Sequence, residues 1–337
     1  MQVGSGEFRY EVGPRWDLGI PGTNQEVAGV AVNSRDEVHV FTRSPRPVMV
    51  FDRDGRFLRS FGEGLFMNAH GIHIAPDDTV WTADSSGSTV RKFSPSGEVL
   101  LTLGTPGVHS DTGMNEAGDF RTITHGGAPF HWCTNVAVAP SGEFYVSDGY
   151  GNARVHQFAE DGSLIRSFGE PGTGPGEFRV PHSVFIDRRG LVYVTDRENN
   201  RVQVFTADGT HVSEWTDVRR PNDLFITEDD RVFVAEMGMA SGMMPGTPAP
   251  TRQSPPSRIT VRDLDGRVLS AWGGEESGDV DPCAPGNFFA AHGIWVDRYG
   301  TIYVGEVILG AGPAGGYGEG LARLPAPCRP FQVFHRI

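Results

Sequence analysis

Along this chain apolar and polar residues alternate in short runs, and D-G, S-G or D-D pairs separate the runs. That pattern predicts half-buried antiparallel strands joined by hairpins. The runs also recur in a larger unit. Six segments align almost without gaps: AGVAVNSRDEVHVFTR from Ala28, HGIHIAPDDTVWTAD from His70, TNVAVAPSGEFYVSD from Thr134, HSVFIDRRGLVYVTD from His182, NDLFITEDDRVFVAE from Asn222 and HGIWVDRYGTIYVGE from His292. Matching second halves, such as VMVFDRDGRFLRSFG and VHQFAEDGSLIRSFG, follow the first five. The sixth copy has none.

A period of roughly 40 residues with four strands per copy predicts a β-propeller, because one such sheet cannot bury both faces until neighbours stack on it. Six copies give an all-β, six-bladed β-propeller, read as one domain over residues 1–337. The stretch from Glu7 to Trp16 is strand-like and has no blade of its own, so this N-terminal strand is expected to close the last blade. Three insertions, Gly104 to Trp132, Met237 to Ser257 and Leu309 to Pro327, are rich in Gly, Pro, Ser or Thr and read as loops over the ring.

A net charge of −13 with no basic run gives no electrostatic footprint for nucleic acid or an anionic membrane. No apolar stretch is long enough to span a bilayer, and the first residues have neither a charged leader nor a hydrophobic signal core. The expectation is a soluble, cytoplasmic protein. Of three cysteines, Cys133, Cys283 and Cys328, the last two could pair in an oxidising compartment, but without C-x-x-C spacing the reading favours reduced structural thiols.

His70, His182 and His292 occupy one position in alternate copies, where the first strand of a blade begins. Their counterparts in the other copies are Ala28, Thr134 and Asn222. First strands line the channel of a propeller, so a ring brings these three imidazoles together round its axis. Three neutral imidazoles with an open fourth position are the ligand set of a catalytic zinc, and they also suit iron, cobalt or copper. The bland alternative is three rim histidines bonded to backbone; strict alternation favours the metal. His73, His39, His156, His109, His125 and His131 do not share the register and read as surface or structural, although His109, His125 and His131, in or beside the first insertion, could reach the mouth.

Arg43, Tyr150 and Arg197 lie just past the end of a second strand, on the same mouth. Guanidinium groups beside a metal would bind a carboxylate, and a tyrosine there can accept or donate a proton. Arg154 and Arg201 read as structural salt-bridge residues. Asp84, Asp148, Asp196, Glu236 and Glu306, which end second strands, read as turn caps, with Glu236 and Glu306 retaining some functional possibility.

These segments look like NHL repeats, and SDGYGNAR together with FRVPHS and DRENNR makes nearly the whole chain similar to the peptidyl-α-hydroxyglycine α-amidating lyase (peptidylamidoglycolate lyase) family. The resemblance implies a six-bladed propeller holding Zn2+ on His70, His182 and His292. It places the family's tyrosine on Tyr150 and its two active-site arginines on Arg43 and Arg197. The implied reaction splits an N-acyl hemiaminal into an amide and glyoxylate, with Tyr150 as acid and base, Arg43 as carboxylate or oxyanion stabiliser and Arg197 supporting either. The chain departs from the family around the third histidine, where Met-Pro-His-Asp is replaced by Ala290, Ala291, His292 and Gly293. The missing Asp puts the family's structural Ca2+ in doubt. Gly151 replaces a family cysteine.

The leading expectation is a metal-dependent lyase whose partner is a small-molecule substrate carrying a carboxylate, with neither nucleic acid nor membrane as partner. The alternatives are a non-catalytic NHL propeller that binds a peptide, glycan or protein, and a metal-dependent hydratase or hydrolase at the same site.

Overall fold

The computed structural model describes residues 1–19, 26–238, 256–274, 281, 283–308 and 329–337. Each sequence copy is one antiparallel sheet, and the sheets close into a six-bladed β-propeller. The innermost strands are Val27–Val32, Ala69–Ile74, Cys133–Val138, Pro181–Ile186, Pro221–Ile226 and Ala291–Val296. Blades are numbered one to six in that order.

Closure follows the expected route and goes one strand further. Phe8–Val12 pairs with Phe331–Arg336 as the fourth strand of blade six. Gln2–Ser5 then folds back as a fifth strand, and the Ser5 backbone N–H reaches Ser270 Oγ of blade five at 2.9 Å. Start and end of the ring are thereby tied by backbone pairing, which leaves no open blade edge between them.

The core is not one mass but a set of clusters between adjacent blades. One, between blades five and six, packs Phe233, Ile259, Trp272, Ile294 and Phe334; another, between six and one, packs Trp16, Val30, Phe51 and Tyr303. The alternation seen in the sequence has this origin: each strand of a blade offers residues to both neighbours. The D-G turns seat the next contact. Gly266, at φ +84°, lies so close to Trp215 of the preceding blade that a Cβ there would stand 2.3 Å from the indole.

Every first strand carries a β-bulge at its start. Pairing with the second strand shifts between Pro181 and Ser183 in blade four and between Ala291 and Gly293 in blade six, and likewise in the other four blades. The extra residue re-aims a side chain that plain alternation would send elsewhere. In blades two, four and six the bulge contains the histidine.

The second and third insertions expected from the sequence fall mostly on residues 239–255 and 309–328, outside the described residues. The first insertion is described. It has one short 3-10 turn, Phe120–Thr122, capped by Asp119.

Cys133 is free and buried. Cys283 is disulfide-bonded, which corrects the expectation of a reduced thiol at that position, while Cys133 keeps it; spacing in the sequence does not report which thiols meet. Among the described residues no helix is long and apolar enough to cross a membrane.

Candidate metal centre

The bulges bring His70, His182 and His292 to the axis. Their ring centroids are 4.7, 4.7 and 4.8 Å apart, an almost equilateral triangle, and all three side chains are buried. Each Nδ1 donates to a carbonyl of the following blade: His70 to Thr134 O at 2.6 Å, His182 to Asn222 O at 2.7 Å and His292 to Ala28 O at 2.6 Å. The acceptors are the counterpart residues in the alternate copies, so the three blades without histidine orient the three that have one. Gly71 permits this approach, because a Cβ there would meet Thr134 O at 2.6 Å and Asn135 Oδ1 at 2.3 Å.

With every Nδ1–H engaged, every Nε2 presents a lone pair to the axis. One proton is available to the three. Tyr150 Oη lies 2.8 Å from His70 Nε2 and 2.9 Å from His182 Nε2, and His292 Nε2 is buried with no hydrogen-bond partner among the described residues. A hydroxyl donates once, so at least two buried acceptors lack a donor, which native interiors rarely tolerate. Protonating the rings is disfavoured: burial, reinforced by Arg43 and Arg197, holds His292 down at about 3. His70 and His182 are pushed well below their ordinary range, by burial first and then by neighbouring rings and arginines. Neutral imidazoles whose ligand atoms lie within 4.8 Å of one another fit a metal ion.

Two of the three non-histidine candidates touch this centre or each other. Arg197 sits on a short 3-10 turn, Arg197–Asn199, directly after the second strand of blade four. Its Nη1 donates to Tyr150 Oη at 3.3 Å, its guanidinium lies 5.3 Å from the Tyr150 ring centroid, and its Nε donates to Glu198 at 2.8 Å. Arg43 stands on the blade-one side. Its Nη1 donates to Glu26 at 2.8 Å and its Nε to Ala69 O at 3.2 Å, so it acts on the histidines through its field.

A repeated backbone hydrogen bond organises the rim. One or two residues past each second strand, a backbone N–H donates to the residue two places before the ligand position: Arg43 to Glu26, Ser85 to Asn68, Tyr150 to Trp132, Arg197 to Val180, Met237 to Arg220 and Val307 to Ala290. Glu26 and Arg220 therefore belong to the mouth. Reading the repeat two residues further upstream would have found both. On blades five, six and one, the wall is apolar: Ala28, Met237, Ala290 and Val307 pack together. Met237 thus lines the wall beside Ala290, where the family pattern has its methionine.

The acids that end second strands are caps. Asp148 accepts from His131 N, Asp196 from Arg179 N, Glu236 from Arg219 N and Glu306 from Phe289 N and Ala290 N. Burial nevertheless raises Glu306 to about 7, against the donors it accepts from. Arg201 is bound to Asp196 and to carbonyls of Thr173, Gly174 and Glu177, and Arg154 pairs with Glu170; both are structural. In the first insertion Phe120 and Ile123, with Val180, pack against the Tyr150 ring, beside a cavity of about 130 Å3 that Phe178 and Arg179 also line.

This arrangement defines a class, a six-bladed propeller with a three-histidine centre on its axis. Residues 178–205 match the NHL repeat family. The chain is 32% identical over 247 residues to mouse NHL repeat-containing protein 3, covering 67% of each, and it belongs to the NHL-repeat family. It is 30% identical over 211 residues to a probable peptidyl-alpha-hydroxyglycine alpha-amidating lyase of Caenorhabditis elegans, covering 54% of this chain and 56% of that one. Among solved structures, virginiamycin B lyase from Staphylococcus aureus superposes with a TM-score of 0.58 at 12% identity, covering 97% of this chain and all of that one. At that identity it speaks for the fold alone.

Proposed function

We propose that the protein is a metal-dependent lyase that cleaves the C–N bond of an N-acyl hemiaminal bearing a carboxylate, releasing an amide and glyoxylate. One observation carries the reading: three buried Nε2 acceptors converge with a single hydroxyl, that of Tyr150, among them. Similarity to the amidating lyase of C. elegans supports the reaction class. A divalent metal held on the three Nε2 atoms would supply Lewis acidity toward the substrate hydroxyl.

The chain's own groups do the rest. Tyr150 enters the step as the phenolate, and its Oη receives the hydroxyl proton of the substrate as the carbon–oxygen bond becomes a carbonyl. The carbon–nitrogen bond breaks, its electron pair leaves with nitrogen, and Tyr150 returns a proton to that nitrogen. No net proton is consumed. Arg197, at 3.3 Å from Tyr150 Oη, stabilises negative charge on that oxygen, and its fixed position costs no reorganisation during reaction. Arg43, held by Glu26 and the Ala69 carbonyl, is assigned the oxyanion, and Arg197 the carboxylate.

The test is incubation of zinc-reconstituted protein with α-hydroxyhippurate. Release of glyoxylate that disappears in His182→Ala supports the lyase. Metal-loaded protein that releases none contradicts it and leaves a hydratase or hydrolase at the same centre. A chain that takes up no metal is a binding propeller.

A further inference from the structure

Glu198 Oε1 accepts from two guanidinium groups, Arg197 Nε at 2.8 Å and Arg220 Nη2 at 2.5 Å. All three side chains are almost fully buried. An arginine that meets one carboxylate side-on donates through Nε and Nη2 together, as Arg188 does here to Asp230 at 3.1 and 2.6 Å. Arg197 makes only half of that fork. Its Nη2 is buried and has no hydrogen-bond partner among the described residues, although Glu198 is adjacent in sequence.

Arg220 explains the half-filled fork. It sits in the left-handed region at φ +47°, its backbone N–H is held by Asn200 Oδ1 at 3.0 Å and its carbonyl accepts from Met237 N. Its guanidinium is thereby delivered to Glu198 from the neighbouring blade. The two arginines together hold Glu198 ionised against the burial that opposes it.

We propose that Arg220 is a positioning residue: by drawing Glu198 off Arg197, it leaves Arg197 Nη2 open to bind the carboxylate of the substrate. This rests on the lyase reading, since it supplies that reaction's carboxylate anchor. Removing Arg220 lets Glu198 close on both nitrogens of Arg197 and fill the anion site internally. Removing the Glu198 charge as well reopens it.

The test measures binding without turnover, by calorimetry on zinc-loaded protein with hippurate, which has the carboxylate but no hydroxyl, and with hippuramide, which lacks the charge. Wild type is expected to prefer hippurate. Arg220→Met should weaken hippurate about tenfold and leave hippuramide unchanged, since one charge-assisted hydrogen bond is worth a factor of that order. Arg220→Lys should fall between, and Glu198→Gln added to Arg220→Met should restore the preference. A rescue of this kind is foreign to a merely structural arginine. The proposal is overturned if wild type shows no preference, if Arg220→Met binds hippurate like wild type, or if the double variant fails to recover it. Absence of glyoxylate from α-hydroxyhippurate, with the hippurate preference still following Arg220, would sink the lyase reading alone.

Discussion

His70 and His73 stand three residues apart on one strand, both turned to the channel, in opposite surroundings. His70 has its Nδ1 fixed by a carbonyl and its Nε2 against the Tyr150 hydroxyl. His73 lies among aromatic rings, 5.8 Å from Trp295 and 6.4 Å from Phe185, with Phe225 4.6 Å from Trp295. Burial depresses both imidazoles, His73 to about 4. A low proton affinity therefore does not distinguish a ligand from a packing residue. What distinguishes them is convergence: three oriented lone pairs at one end of the channel, apolar rings at the other.

Substitutions at the two ends should separate function from stability. The largest effect is expected for His182→Ala, which removes one of three ligands. Metal retention after dialysis should collapse, while His73→Ala keeps its metal; equal retention in both would dissolve the contrast. Next comes Tyr150→Phe. It deletes the hydroxyl between two ligands and should lower kcat by about 10²–10⁴, the usual worth of a general acid–base group, with metal content unchanged. A kcat near wild type would remove Tyr150 from the mechanism.

At the aromatic end, Trp295→Ala should cost about 3–5 kcal/mol in denaturant unfolding, the range for truncating a packed aromatic, and should leave metal stoichiometry intact. A loss below about 1 kcal/mol, the scale of an ordinary surface change, would show that this layer does not hold the blades together.

The smallest effect is in pH dependence. His73 is depressed from 6.5 to about 4, so the unfolded chain binds the extra proton between those values. Its contribution is present above pH 6.5 and is lost as pH falls toward 4. Asp223, whose carboxylate accepts from Ser183 Oγ and Ile294 N, runs the other way. Burial raises it to about 6, so its contribution is present at low pH and is lost as pH rises through 6. His73→Phe should flatten the acid side of the stability curve and Asp223→Asn the side rising through 6. Unchanged slopes in both would show that neither group titrates in the folded chain as described.

Much of this was legible in the sequence for a definite reason. A blade is a repeat whose turns and alternation are local, so six aligned copies yield the ring, and the alternation of His70, His182 and His292 with Ala28, Thr134 and Asn222 yields their convergence. What the copies could not convey arises between blades. The bulge that turns each histidine inward is a pairing register. The bond from Met237 to the Arg220 carbonyl and the contact of Arg220 with Glu198 join segments distant in sequence. Nothing in the repeat position of Arg43 showed that Glu26 engages it.

The centre itself is tested most directly by elemental analysis of purified protein after zinc reconstitution and gel filtration, with His182→Ala alongside. About one equivalent of zinc in wild type, as a three-histidine site with an open fourth position requires, and almost none in the variant is the expected result. Metal-free wild type, or zinc retained equally by His182→Ala, would contradict it.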